Sequence, residues 1–147
     1  MSFIFTDKFD EINDYGLTLK ISQKYSGDDE LVPFYYYDII KNSVAVGKIS
    51  IRIGCNFHSY YNGHIGYEIF PPYRGNGIAY QACLMVLQVA RFHEMKFIYL
   101  VCDENNIPSY KTIEKLNAEL LEICEAPREY FAWRPDMERQ RIYRLIL

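Results

Sequence analysis

Hydrophobic and polar positions alternate through much of the first half of the chain. Leu17, Leu19 and Ile21 alternate with polar residues, the period of two that a half-buried strand requires. Ser26-Gly27-Asp28-Asp29 is a turn cluster. Val32, Phe34, Tyr36 and Ile40 then open a second strand, with Tyr35, Tyr37 and Ile39 on its other face. Lys41-Asn42-Ser43 reads as a hairpin turn. Ile49, Ile51 and Ile53 alternate with Lys48, Ser50 and Arg52 in a third strand. Cys55–Asn62 is a polar-aromatic loop, and Gly63–Phe70 is a further strand. Residues 1–16 are weakly patterned, and Phe3, Phe5, Phe9 and Ile12 are expected to cap the core.

The period changes after Pro71-Pro72. Ile78, Ala82, Met85, Val86 and Val89 follow the 3.6 period of a helix, which ends near His93. Phe97–Cys102 is apolar on both faces, as a central strand is. Asn106-Ile107-Pro108 is a helix start, with an Asn cap and a proline in the first turn, and that helix runs to about Leu116. Leu120–Cys124 and Arg141–Leu147 are the last strands, separated by the aromatic and charged stretch Glu125–Glu138. Gly63–Cys102 is long enough for a βαβ unit with a right-handed crossover. The early strands, joined by short turns, are expected to be antiparallel. The sequence therefore predicts one α+β domain over residues 1–147. Its core is a mixed, mostly antiparallel sheet of about six to seven strands with helices packed on it.

Composition narrows the function. Half of the residues are hydrophobic and 24% are charged, which excludes extended disorder. A net charge of −3 argues against a general nucleic-acid binder. No apolar run approaches the ~20 residues of a membrane span, and the start of the chain lacks the pattern of a secretory signal. Cys55, Cys83, Cys102 and Cys124 have neither metal-ligand nor disulfide-scaffold spacing. They read as buried thiols of a cytoplasmic protein, and no metal is expected.

The segment richest in chemistry is Ile69-Phe70-Pro71-Pro72-Tyr73-Arg74-Gly75-Asn76-Gly77-Ile78-Ala79. A strand ends, a glycine turn follows and a helix begins. The start of a helix presents unpaired N–H groups and the positive end of its dipole, a site for phosphate. Arg74 adds a fixed charge beside it. The spacing matches neither a dinucleotide fingerprint nor a P-loop.

Arg74-Gly75-Asn76-Gly77-Ile78-Ala79 resembles the R/Q-x-x-G-x-G/A motif of the GNAT superfamily of acyl-CoA N-acyltransferases. Asn106-Ile107-Pro108-Ser109, followed by Ile113-Glu114-Lys115-Leu116, is similar to the family's second motif. The resemblance covers about residues 44–124. It implies acetyl-CoA as donor, lying in the gap where two parallel strands splay apart. Backbone of Ile69, Phe70 and Pro71 would meet the pantetheine. The Arg74–Ala79 turn and Tyr80 would hold the pyrophosphate, and Asn106 and Ser109 would reach toward the pantetheine. The N–H of Ile69 would donate to the oxyanion of the tetrahedral intermediate.

The resemblance has one departure at the reacting centre. Many members place a tyrosine seven residues after the motif asparagine, as the acid that protonates the leaving thiolate. Ile113 stands there in this chain, and Tyr110 and Tyr67 are the nearest tyrosines without matching the position. The base that takes the amine proton is sought among Glu68 and Asp103, while His64 reads as a structural histidine. Tyr60, Tyr61, Tyr130, Phe131 and Trp133 would form an aromatic wall at the acceptor end.

The implied activity is acetyl transfer to a primary amine by direct attack in a ternary complex. The acceptor is a small-molecule or peptide amine, and the acidic balance favours a cationic one. A non-catalytic acyl-CoA sensor is the rival reading, and Ile113 is its best support. An exposed edge strand is also a surface on which two chains can pair, so a homodimer is one expectation.

Overall fold

A computed structural model describes residues 3–147. Eight strands and three helices follow in the order β1 (Glu11–Asp14), β2 (Leu17–Tyr25), β3 (Phe34–Lys41), β4 (Val44–Arg52), α1 (Ser59–Asn62), β5 (Ile65–Ile69), α2 (Ile78–Phe92), β6 (Phe97–Asp103), α3 (Ile107–Lys115), β7 (Glu119–Cys124) and β8 (Gln140–Ile146). A 3₁₀ turn over Pro71–Tyr73 joins β5 to the glycines.

The strands divide into two antiparallel sheets. One runs β1-β2-β3-β4-β5 and the other β6-β8-β7. Two tight hairpins build the first sheet. Tyr15-Gly16 and Asn42-Ser43 both hold positive φ at consecutive positions, the conformation that matches strand twist in a two-residue loop. β1 lay in a segment with weak patterning because only Ile12 of its four residues is buried. Cys55–Asn62 is not all loop, since its last four residues form α1.

The alternation legible in the sequence sorts the first sheet's two faces. Tyr35, Tyr37 and Ile39 of β3 lie on one face with Leu19, Ile49 and Ile51, and all six are wholly buried. The apolar stripe of α2, with Ala82, Met85, Val86 and Val89, packs into the same core. The opposite face carries Tyr36, Asp38, Lys48, Ser50, Gly66 and Glu68 in register. Among the described residues no helix covers that face.

β5 and β6 are the strands joined by the α2 crossover, and they do not ladder with each other. They meet at one point. The N–H of His64 donates to Tyr99 O (2.8 Å), and the N–H of Tyr99 donates to Nδ1 of His64 (2.9 Å). The opposite ring nitrogen, Nε2, donates to Gly54 O (2.9 Å). An imidazole thus completes the ladder where the two sheets touch. Beyond this vertex the strands separate, and the gap between them is the floor of the site.

Candidate functional site

The gap opens into a cleft of about 870 Å³. It runs from the glycine turn along β5 to Arg52, Asn62 and Val101, with Asn106, Pro108, Ser109 and Thr112 of the α3 segment on one wall. Strand register decides which backbone groups of β5 face it. The N–H of Arg52 donates to His64 O (2.7 Å), and the N–H of Phe70 donates to Val46 O (2.9 Å). In an antiparallel ladder such pairs alternate, so Gly66 and Glu68 also bond β4. The N–H and C=O of Ile65, Tyr67 and Ile69 therefore point outward, into the gap. The expected Ile69 N–H faces the cleft. Its carbonyl is occupied, accepting from Nε of Arg74 at 2.8 Å.

The glycine turn is held open by backbone conformation. Gly75 and Gly77 have φ of 82° and 74°, and a Cβ added at either would meet nothing within 4 Å among the described residues. The glycines serve the left-handed turn itself, which a side chain would strain. Nδ2 of Asn76 ties the turn by donating to Tyr73 O (3.1 Å). No described side chain caps α2. The first intrahelical bond runs from Gln81 N to Gly77 O (3.1 Å), so the N–H groups of Ile78, Ala79 and Tyr80 lack i−4 partners. Arg74, Gly75, Gly77, Ile78, Ala79 and Tyr80 all border the cleft.

The second motif forms the facing wall. Asn106 caps α3, its Oδ1 accepting from Ser109 N at 3.3 Å, and both residues line the cleft. Ile113 is buried in the core. Tyr67, from β5, reaches this wall, with its hydroxyl 3.3 Å from Ser109 Oγ. Burial raises the Tyr67 phenol above its ordinary range, so it carries its proton at neutral pH.

Several expected residues lie elsewhere. Phe70 and Pro71 do not line the cleft, because Phe70 turns its N–H back to β4. Asp103 is outside it too, its carboxylate accepting from Nε2 of Gln140 at 2.6 Å. Tyr110 lies beneath the guanidinium of Arg141, 4.0 Å from ring centre to Cζ. Of the candidate bases, Glu68 alone borders the cleft, exposed on β5.

The aromatic residues do gather, next to the cleft. The Tyr61 and Tyr130 rings are 5.9 Å apart. The Tyr60 hydroxyl donates to Glu122. The Tyr130 hydroxyl donates to Oδ1 of Asn62, a cleft residue, at 3.1 Å. Trp133 stands apart, paired with Arg128.

Sequence reasoning took His64 as a structural histidine, but it did not foresee the joint that His64 makes between the sheets, and it passed over Arg52. A strand arginine alternating with isoleucines looks like any solvated charge. Burial holds the His64 pKa down at about 4, with Arg52 adding to the shift and the Gly54 carbonyl opposing it. That ring is a neutral structural group at pH 7. Among the described residues no cluster of His, Cys, Asp or Glu has the makings of a metal site. No described helix is long and apolar enough to cross a membrane.

The profile of the acetyltransferase (GNAT) domain family matches residues 10–119. The chain belongs to the GNAT family. No curated relative matches. Among solved structures, the acetyltransferase MccE, in complex with acetyl-CoA and AMP, is 18% identical at a TM-score of 0.60, over 78% of this chain and 61% of its own. An acetyltransferase from Salmonella typhimurium that modifies the N-terminal serine of ribosomal protein L7/L12 is 21% identical at 0.62, over 78% and 64%. A Vibrio cholerae protein is 16% identical at 0.68, over 97% and 100%. This GNAT chain thus spans about three fifths of the length of MccE and of the Salmonella enzyme. At these identities the likeness is one of fold.

Proposed function

We propose that this chain transfers the acetyl group of acetyl-CoA to a primary amine, by direct attack in a ternary complex. The observation that carries this reading is the uncapped start of α2, its N–H groups turned to the end of a cleft whose floor is a free strand edge. Three N–H groups at a helix start, beside Arg74, suit a pyrophosphate. The outward N–H and C=O groups of β5 suit an amide-bearing arm laid along the strand. That MccE is a GNAT fold in complex with acetyl-CoA supports the same reading.

The chemistry then needs three acts from the chain. The carboxylate of Glu68, directly or through water, takes a proton from the ammonium so that the nitrogen lone pair is free. The nitrogen attacks the thioester carbon, and the N–H of Ile69 donates to the oxygen as it becomes an anion. The C–S bond then breaks as the nitrogen, which keeps a surplus proton after the attack, releases it to water; the phenol of Tyr67 delivers a proton to the departing sulfur and recovers its own from solvent through Ser109. In this assignment Tyr67 does from β5 what Ile113 cannot do from α3.

The test is a calorimetric titration with acetyl-CoA. Saturable binding near one per chain is expected. Gly77→Asn and Gly77→Asp share the strained backbone and differ in one charge. A carboxylate about 5 Å from a phosphate costs about 1–3 kcal/mol at effective dielectric constants between water and a protein surface. Gly77→Asp should therefore bind about fivefold to a hundredfold more weakly than Gly77→Asn. Equal affinities would refute the phosphate site, and no binding by the parent would refute the transferase.

A further inference from the structure

Arg52 ends β4 at the far end of the cleft from the glycine turn. Gly66, which it lies against, is four residues from Phe70, or about 13 Å of strand. At that distance its charge serves something other than the pyrophosphate site. Nη1 is used within the protein, donating to the carbonyls of Asn62 (3.3 Å) and Gly63 (3.1 Å). The side chain crosses Gly66 so closely that a Cβ there would come within 2.9 Å of Nη2. Glycine at 66 is what leaves the guanidinium room. Nε and Nη2 have no acceptor among the described residues, nor does any described carboxylate pair with this arginine. Neither nitrogen is among the described polar atoms buried without a partner, and Arg52 lines the cleft, so this edge of the guanidinium is open to a ligand there. Nε and Nη2 form the planar two-donor edge that fits a carboxylate.

Glu68 lies on the same sheet face, two residues beyond Gly66 and about 7 Å along β5. This end of the cleft thus holds a positive group and then a negative one. We propose that Arg52 determines acceptor specificity, and that the acceptor is an amine that also bears a carboxylate, which the Nε/Nη2 edge of Arg52 binds while the ammonium faces Glu68. The inference rests on the transferase reading and narrows it. The acidic balance of the chain favours a cationic acceptor; Arg52 adds that the cation arrives with an anion attached. Either a free amino acid or the start of an acidic peptide has this chemistry.

The experiment is a thiol-release assay with matched acceptor pairs. Free amino acids are compared with their carboxamides, and seryl peptides with aspartate at the second position with the same peptides carrying asparagine. The parent protein should favour the carboxylate member at least tenfold in kcat/KM. The pair with the larger ratio identifies the source of the carboxylate. Arg52→Gln should bring that ratio to about one, and Arg52→Lys, which keeps charge but not the fork, should fall between. Arg52 also holds the Asn62 and Gly63 carbonyls, so both variants can lose folded protein. Such a loss lowers both members of a pair alike and leaves the ratio unmoved. Equal turnover of the two members overturns the inference, as does a preference that survives Arg52→Gln. Failure to turn over any carboxylate-bearing amine by protein that binds acetyl-CoA overturns it too, and leaves the cofactor site standing. Absence of acetyl-CoA binding removes the transferase reading and this one with it.

Discussion

Acid should loosen this fold at one wholly buried residue in particular, His64. The ring is wholly buried, accepts from Tyr99 N through Nδ1 and donates to Gly54 O through Nε2. Protonation would put a second N–H against the Tyr99 N–H, at the joint between the two sheets. The pKa is held at about 4, against an ordinary 6.5. Above pH 6.5 the ring is neutral in both folded and unfolded chains and contributes no slope. Between 6.5 and 4 the unfolded chain binds a proton that the folded chain refuses, so stability falls as pH falls. A gap of about 2.5 units corresponds to about 3 kcal/mol, most of it lost by pH 4.5. That is a large share of the 5–15 kcal/mol typical of a domain.

Urea unfolding from pH 7 to 4.5 measures the loss. Other carboxylates and imidazoles titrate over the same range, so the comparison is with His64→Gln, which keeps an amide donor and cannot charge. The parent should lose about 2–3 kcal/mol more than the variant across that range. Parallel curves would refute the assignment. Should the variant fold poorly, the proton resonances of His64 in the parent decide alone. They should titrate near 4, and a midpoint near 6.5 would sink the argument.

Two further outcomes follow from the geometry. Tyr67→Phe removes a hydroxyl whose described partner is Ser109; stability should change by less than about 1 kcal/mol. If that phenol protonates the leaving sulfur, kcat should fall about tenfold to a hundredfold with acetyl-CoA affinity unchanged, and an unaltered kcat would remove Tyr67 from the reaction. Gly47→Ala would drive a Cβ into the carbonyl of Glu68. It should cost about 1–3 kcal/mol in denaturant unfolding and weaken acetyl-CoA binding by displacing β5, whereas a silent substitution would show that β5 shifts freely.

The fold and the glycine turn before α2 were legible in the sequence for the same reason: both rest on local signals. Period-two alternation marked β2, β3 and β4, and the change to period 3.6 marked α2. Two glycines between a strand and that helix marked the turn. β1 was not legible, because a strand with one buried residue has no period. The reacting groups were only partly legible. Asp103, Tyr110 and Glu68 all sit at plausible places along the chain. What separates them is the neighbour each one meets, Gln140 for Asp103 and Arg141 for Tyr110, and both neighbours come from β8 at the other end of the sequence.

The same contrast explains how a GNAT chain can lack the motif tyrosine without losing the position it serves. The gap between β5 and β6 has two walls, one from β5 and one from the α3 segment. On the α3 wall, position 113 turns into the core, and isoleucine there adds buried apolar surface. On the β5 wall, position 67 turns its hydroxyl across the gap to Ser109. Putting tyrosine at 113 in this chain would force a phenol into a packed interior. In the proposed mechanism the phenol of Tyr67 stands in for the motif tyrosine, so Ile113 alone says little about whether the chain is catalytic. Thiol release by the parent separates the transferase from a non-catalytic acyl-CoA sensor, whose main support is Ile113, and the kcat of Tyr67→Phe then tests whether that phenol is the acid.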